Sequence, residues 1–85
     1  EISGFSVYPN PVVNQVINIR YSAIKPGKYL ISLISSNGQI VHEEKVSITD
    51  GAMGVTSIYP RRLSRGVYTL RVEGNINFSQ QVIVR

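Results

Sequence analysis

The sequence contains no cysteine and only one histidine. No disulfide can therefore staple the fold, and no thiol is available as a nucleophile or a metal ligand. His42 has no acidic or cysteine partner at a spacing typical of metal ligands, and a single histidine on a strand makes no convincing Ser/His/Asp arrangement. We therefore expect no catalytic residue, no metal site and no cofactor, and hence a protein that is not an enzyme.

Long apolar runs are also missing. The longest strictly apolar stretches are two or three residues, such as Val82-Ile83-Val84. Such a pattern leaves no room for a transmembrane helix or a signal peptide, so an exported protein would carry its signal peptide upstream of Glu1. The 85 residues make one domain at most, and 42% hydrophobic residues is ordinary for a folded chain.

Positive charge is concentrated in the last third of the chain. Residues 1–56 hold four basic and four acidic groups, whereas residues 57–85 hold Glu73 alone against five arginines, namely Arg61, Arg62, Arg65, Arg71 and Arg85. This asymmetry favours an anionic partner for the C-terminal part, or else a solvated basic loop. A nucleic acid is not the expected partner, because no strand combines aromatic and basic residues in the way that stacks bases.

Apolar residues alternate with polar ones along most of the chain, and no stretch has helical spacing. This pattern predicts seven strands, at Phe5–Tyr8, Gln15–Tyr21, Lys28–Ser35, Gln39–Ser47, Met53–Tyr59, Gly66–Glu73 and Phe78–Val84. Short strands separated by turn residues are typical of a β-sandwich or a barrel. For this length we expect an all-β fold, an Ig-like antiparallel β-sandwich of about seven strands.

The first break in this pattern is Tyr8-Pro9-Asn10-Pro11. Proline cannot donate to a strand ladder, so Pro9 and Pro11 are predicted to end the first strand. The side chain of Asn10 is expected to bond its own backbone and hold the bend.

A second break lies in the hairpin around Gly38. A two-residue turn ending at Gly38 would place His42 opposite Leu33. A type I turn that begins at Ser35, with Gly38 in the left-handed bulge position, places Val41 opposite Leu33 instead. We expect the second arrangement, because a slip of one residue moves a whole set of side chains to the other face.

Several tyrosines fall on the apolar side of the alternation. Gly66 would permit a tight turn, and Tyr68 would bury its ring and bond through its hydroxyl. The same alternation predicts buried rings for Tyr21 and Tyr29. This weakens, without removing, the main rival interpretation, a non-catalytic carbohydrate-binding or adhesion module that uses tyrosine faces.

Four segments then carry a family resemblance. They are F-S-V-Y-P-N-P-V from Phe5 to Val12, G-K-Y-L-I-S-L-I-S-S-N-G-Q-I-V from Gly27 to Val41, L-S-R-G-V-Y-T-L-R-V from Leu63 to Val72, and Q-Q-V-I-V-R at the end. This ordered set resembles the type A C-terminal sorting domain of the type IX secretion system, the Por system tail, over nearly all 85 residues. Ser35 stands where that family usually has Asp, and Gln81 where a Lys is common, so the basic end rests on Arg85.

The resemblance implies a fold and a function. Such domains are Ig-like sandwiches at the end of secreted cargo proteins of Gram-negative bacteria, which travel through the periplasm and the outer membrane to the cell surface or the medium. A sortase-like cysteine peptidase usually removes the domain, and the cargo is often joined to anionic lipopolysaccharide. Residues 1–85 would then be the sorting domain of a larger cargo protein, with no catalysis of their own.

The residues that the export machinery reads are a separate prediction. The final strand, Gln81, Val82, Ile83, Val84 and Arg85, is expected to pair with the Gly66–Glu73 strand and to leave one edge free for a partner. Arg61, Arg62 and Arg65 would add a secondary contact. Two questions stay open. The final strand either is recognised by the machinery or only completes the sandwich. Residues Tyr8 to Pro11 either form a rigid corner or touch the machinery directly.

Overall fold

The computed structural model describes residues 4–85, and every regular element in that range is a β-strand. The strands are β1 Gly4–Val13, β2 Val16–Ser22, β3 Gly27–Ser35, β4 Ile40–Ile48, β5 Met53–Ile58, β6 Gly66–Glu73 and β7 Phe78–Val84. All seven predicted strands are present, and the bounds of β6 and β7 match the prediction residue for residue. No helix among these residues is long and apolar enough to cross a membrane.

The strands follow the order β4-β3-β6-β7-β1-β2-β5. The first part of β1 pairs with β2, which pairs with β5, and these three strands form one layer. Strands β4, β3, β6 and β7 form the other layer, and the end of β1 joins it by pairing with β7. All pairs are antiparallel except β1 with β7. The expected all-β, Ig-like sandwich is confirmed.

The core lies between the two layers and is built mainly by alternate residues of the strands. Its buried members are Val7, Val12, Ile17, Ile19, Ile24, Tyr29, Ile31, Leu33, Ile48, Ile58, Tyr68, Leu70, Val72, Val82 and Val84. Because side chains on a strand point alternately to opposite faces, a period of two in the sequence selects the members that lie on regularly paired strands. It does not select Ile24, in the connection between β2 and β3, or Val12, beyond the break in β1.

Strand β1 corrects the predicted role of the prolines. Pro9 and Pro11 do not end the strand, which continues to Val13. The regular pairing with β2 breaks after Tyr8 and resumes only at Val13, which pairs with Val16, whereas Val12 pairs with Val84 of β7. The prolines thus lie in the break of the β2 pairing, where β1 reaches β7 of the other layer. A residue that lacks an N–H is tolerated there because neither ladder needs its donor.

The β3–β4 turn has the predicted type. The N–H of Gly38 donates to the carbonyl of Ser35 at 2.9 Å, and Gly38 has φ of 88°, the left-handed value required at the bulge position. The Ser35 hydroxyl also bonds the side chain of Asn37. The turn therefore begins at Ser35, although Ser35 occupies a position where an Asp is usual in the family that the sequence resembles.

The predicted register beyond that turn is wrong. Ile34 pairs with Ile40, but the register shifts between Leu33 and Ile34, so His42, not Val41, lies opposite Leu33. This irregularity inserts one extra residue into β4. A polar ring opposite Leu33 is tolerated because β4 is the outermost strand of its layer and His42 remains half-buried.

A tyrosine corner opens β6. The Tyr68 hydroxyl donates to the carbonyl of Ser64, four residues earlier, at 2.7 Å, and the ring is 7% exposed. Gly66 between them has φ of 153°, a conformation that residues with a side chain rarely adopt. The predicted burial and hydroxyl bond of Tyr68 are therefore confirmed, and this arrangement is a hallmark of Ig-like sandwiches. Gly66 is the first residue of β6 and supplies a positive φ there.

A second corner of the same construction opens β3. The Tyr29 hydroxyl donates to the carbonyl of Lys25 at 2.6 Å, the ring is 1% exposed, and Gly27 has φ of 150°. Sequence reasoning placed the Tyr29 ring in the core but missed the corner. The spacing Gly-x-Tyr, shared with the start of β6, was the available signal. Tyr21 is only half-buried, so the prediction of a buried ring there is wrong.

Candidate recognition site

Strand β7 presents two different faces. It pairs antiparallel with β6, with Gly66 opposite Val84 and Tyr68 opposite Val82. Val82 and Val84 are buried in the core, whereas Gln81, Ile83 and Arg85 are exposed. The final strand therefore completes the sandwich with one face, and the other face is available to a partner.

The expected free edge of β7 is not present. Strand β7 lies between β6 and β1, and Val84 pairs with Val12 on the β1 side. The prediction of a free edge is wrong because it treated β1 as ending at Tyr8. A β1 that ended there could not have reached β7.

The side chain of Asn10 closes the junction between β1 and β7. Its amide nitrogen donates to the carbonyl of Gln81 at 3.2 Å, and its oxygen accepts from the N–H of Ile83 at 2.9 Å. The prediction that Asn10 bonds its own backbone is therefore wrong. Because Pro9 and Pro11 lack N–H groups, the Asn10 amide supplies a donor and an acceptor where the main chain of β1 is short of donors. No signal in the sequence identified this partner.

Tyr8 lies on the outer side of the other layer. It is 37% exposed, and the guanidinium carbon of Arg20 lies 5.1 Å from the centroid of its ring. This distance is typical of a cation–π contact. Within the Tyr8–Pro11 motif, the Tyr8 ring therefore faces β2, whereas the Asn10 side chain forms hydrogen bonds to β7.

The loop between β5 and β6 carries three of the arginines and is anchored at two points. The N–H of Leu63 donates to the side-chain oxygen of Gln15 at 2.9 Å, and the carbonyl of Ser64 accepts from Tyr68 in the tyrosine corner. Leu63 also packs against the core. The loop is therefore a fixed platform, and its contact with Gln15 is another feature that sequence reasoning missed.

The structure brings the arginine loop and the end of β7 together. Since Gly66 pairs with Val84, the neighbouring residues Arg65 and Arg85 emerge at the same end of the sandwich. Arg61 and Arg62 lie in the same loop, and all four side chains are exposed. We call these four residues, Arg61, Arg62, Arg65 and Arg85, the arginine end.

The arginine end has no acidic counterpart in the described part of the chain. The ion pairs among residues 4–85 join Arg71 to Glu73 at 3.6 Å and His42 to Glu44 at 3.2 Å. Asp50 follows the end of β4 and Glu73 is the last residue of β6, so both lie at the opposite end of the sandwich. Four unpaired guanidinium groups can bind carboxylates or phosphates through paired hydrogen bonds.

Other kinds of site have little support among residues 4–85. No group of three or more histidine, cysteine or acidic side chains is placed to hold a metal ion. Of the five tyrosines, Tyr29 and Tyr68 are buried, Tyr21 is half-buried and packs against the core, and Tyr8 faces Arg20. Tyr59 is 67% exposed, and no second tyrosine lies beside it on the loop. The tyrosines therefore do not assemble into a shared stacking platform for a sugar.

Comparison with known families supplies the biological context. Residues 6–85 match the family described as the secretion system C-terminal sorting domain, the Por secretion tail. This is a type IX sorting signal, so the family implies a cargo protein that is secreted or displayed at the cell surface by way of the outer membrane, and an interaction with the type IX machinery. Neither the curated proteins nor the solved structures contain a match. The chain therefore belongs to the family of type IX secretion system C-terminal sorting domains.

Proposed function

We propose that this domain carries its attached cargo protein across the outer membrane by presenting the arginine end and the outward face of β7 to the type IX machinery. The observation that supports this is the group of four exposed arginines on an anchored loop and on the end of β7, with no acidic partner among residues 4–85. Arginine forks pair in two-point fashion with carboxylates, so an acidic surface of the machinery is the matching partner.

The division of β7 into two faces gives each residue a role. Val82 and Val84 hold the strand in the core, and Gln81, Ile83 and Arg85 make the contact. The final strand therefore has both roles: its inward residues complete the sandwich, and its outward residues contact the machinery. Asn10 acts through its hydrogen bonds to β7, and Tyr8, Pro9 and Pro11 shape the junction rather than touching the machinery.

Two later steps belong to the same proposal. After export, a sortase-like peptidase cuts the domain from its cargo and supplies the catalytic groups for that cleavage. The cargo is then joined to anionic lipopolysaccharide. The arginine end attracts the phosphate groups of this lipid while the domain is being replaced.

The test is export of a reporter. A periplasmic reporter fused ahead of residues 1–85 is expected to reach the surface or the medium of a type IX host and to lose the domain on the way. Replacing Arg61, Arg62 and Arg65 together with Gln is expected to reduce export at least about tenfold, because charge-assisted contacts are lost. The melting temperature of the purified domain should stay nearly unchanged, since these side chains are exposed.

The matched control removes the same charge elsewhere. Lys25, Lys28 and Lys45 are also exposed and lie outside the arginine end, so their joint replacement by Gln should leave export near the wild-type level. An equal loss of export in the two triple variants would mean that the machinery responds to net charge and not to the arginine end. Retention of the wild-type fusion in the periplasm, together with millimolar or tighter sugar binding by the domain, would favour the carbohydrate-binding alternative.

A further inference from the structure

The two outermost strands of the sandwich differ in how their edges are protected. Strand β4 carries the consecutive charged residues Glu43, Glu44 and Lys45, and the extra residue in its pairing with β3 bends it. Charges and bulges of this kind discourage another strand from adding to an edge. Strand β4 is therefore guarded against strand addition.

Strand β5 has none of these protections. Its six residues, Met53–Ile58, include no charged residue and no proline, and its pairing with β2 runs without a shift from Met53 to Ile58. No strand among residues 4–85 pairs with its outer edge. Every second residue of an antiparallel edge strand directs its N–H and C=O groups outward, so β5 offers a regular row of unsatisfied backbone groups.

The side chains beside this edge are unusually apolar for a surface. Met53 is 71% exposed and Val55 is 51% exposed. A cavity of about 980 Å³ begins at these residues and extends over the ends of β2 and β1, where Tyr21 and Phe5 line it. A strand added to β5 could therefore bury Met53 and Val55 and place a side chain in this cavity.

Charge indicates what kind of strand would fit. Arg20 lies directly opposite Val55 on β2 and is exposed. Arg61 and Arg62 follow closely after the end of β5. Arg20 therefore lies beside the outward face of β5, and Arg61 and Arg62 lie just after its last residue. These positive charges favour a partner segment that carries carboxylates next to apolar residues.

We propose that the outer edge of β5 is a strand-addition site, occupied during export by an extended segment of the secretion machinery in which apolar residues alternate and at least one carboxylate faces the arginines. This inference rests on the proposed function, since the occupant is a component of the export machinery. Backbone hydrogen bonds supply the affinity and the alternating side chains supply the selectivity, as in other complexes formed by strand addition.

The first test compares the two edges in the reporter fusion. Val55→Lys places a charge on the β5 edge, and Val41→Lys places the same charge on the guarded β4 edge, where Val41 is similarly exposed at 42%. Val55→Lys is expected to reduce export at least about tenfold, whereas Val41→Lys should keep it within about twofold. Val55→Thr keeps a β-branched side chain and should restore export. Both lysine variants should melt close to the wild-type temperature.

Equal effects of the two lysine variants, or a loss confined to Val41→Lys, would overturn the assignment of the β5 edge. The arginine variants report separately on the proposed function. If the arginine end matters and Val55→Lys is exported normally, only the strand-addition site is wrong.

The second test identifies the occupant by cross-linking, which is simple because the sequence has no cysteine. Val55→Cys and Val41→Cys fusions are labelled with a short cysteine-reactive photocross-linker in type IX host cells. The expected product joins position 55 to a segment of an export component that contains alternating apolar residues and a carboxylate, with at least about fivefold less product from position 41. A product that contains a second copy of the domain, a lipid adduct, or equal products from both positions would overturn the proposal.

Discussion

The backbone N–H of Ile83 donates to the side-chain oxygen of Asn10 at 2.9 Å, across a sequence separation of 73 residues. The Asn10 amide nitrogen also donates to the carbonyl of Gln81, so the two bonds join β1 to β7. The position of β7 therefore depends on a residue near the opposite end of the chain.

Replacing Asn10 with Ala should lower the free energy of unfolding by about 1–2 kcal/mol, because two hydrogen bonds are lost. Urea denaturation measures the change, and amide exchange at Ile83 should accelerate. Asn75→Ala is the matched control, since Asn75 donates one bond, to the carbonyl of Pro26 at 3.2 Å. A smaller effect at Asn10 than at Asn75 would contradict the role that we assign to Asn10.

The two tyrosine corners make a second prediction. Tyr68→Phe and Tyr29→Phe keep the buried rings but leave the carbonyls of Ser64 and Lys25 without their hydroxyl donors. Each change should cost about 1–2 kcal/mol in thermal or urea unfolding. Tyr8→Phe is the control and should cost less than about 0.5 kcal/mol, because Tyr8 is on the surface and no hydrogen bond from its hydroxyl is seen among residues 4–85. Equal losses in all three variants would contradict this account.

The end of β7 requires a single substitution rather than a truncation. Val84 is 7% exposed and pairs with both Gly66 and Val12, so deleting residues 84–85 should destabilise the domain by about 2–3 kcal/mol. Arg85→Gln should leave the melting temperature nearly unchanged while it lowers export of the reporter fusion. Normal export of the Arg85→Gln fusion would exclude Arg85 from the surface that the machinery reads.

The sequence by itself was sufficient for the number of strands, for their bounds to within one residue except at the end of β1, for the turn that begins at Ser35 and for the buried ring of Tyr68. These features depend on neighbours within a few residues. Alternation selects the buried face of a strand, and glycine permits the backbone conformation that a turn or a corner requires. The same local information placed the concentration of arginines in the last third of the chain.

Only the tertiary structure decided which distant segments meet. Local patterns read Pro9 and Pro11 as the end of β1, whereas the fold uses them where β1 crosses to β7 and Asn10 reaches the backbone of Ile83. The pairing of Gly66 with Val84 gathers Arg65 and Arg85 at one end, and the order of the strands leaves β5 at an unguarded edge. Strand order and register depend on how the whole core packs, and a period of two in the sequence carries no information about which strand lies beside which.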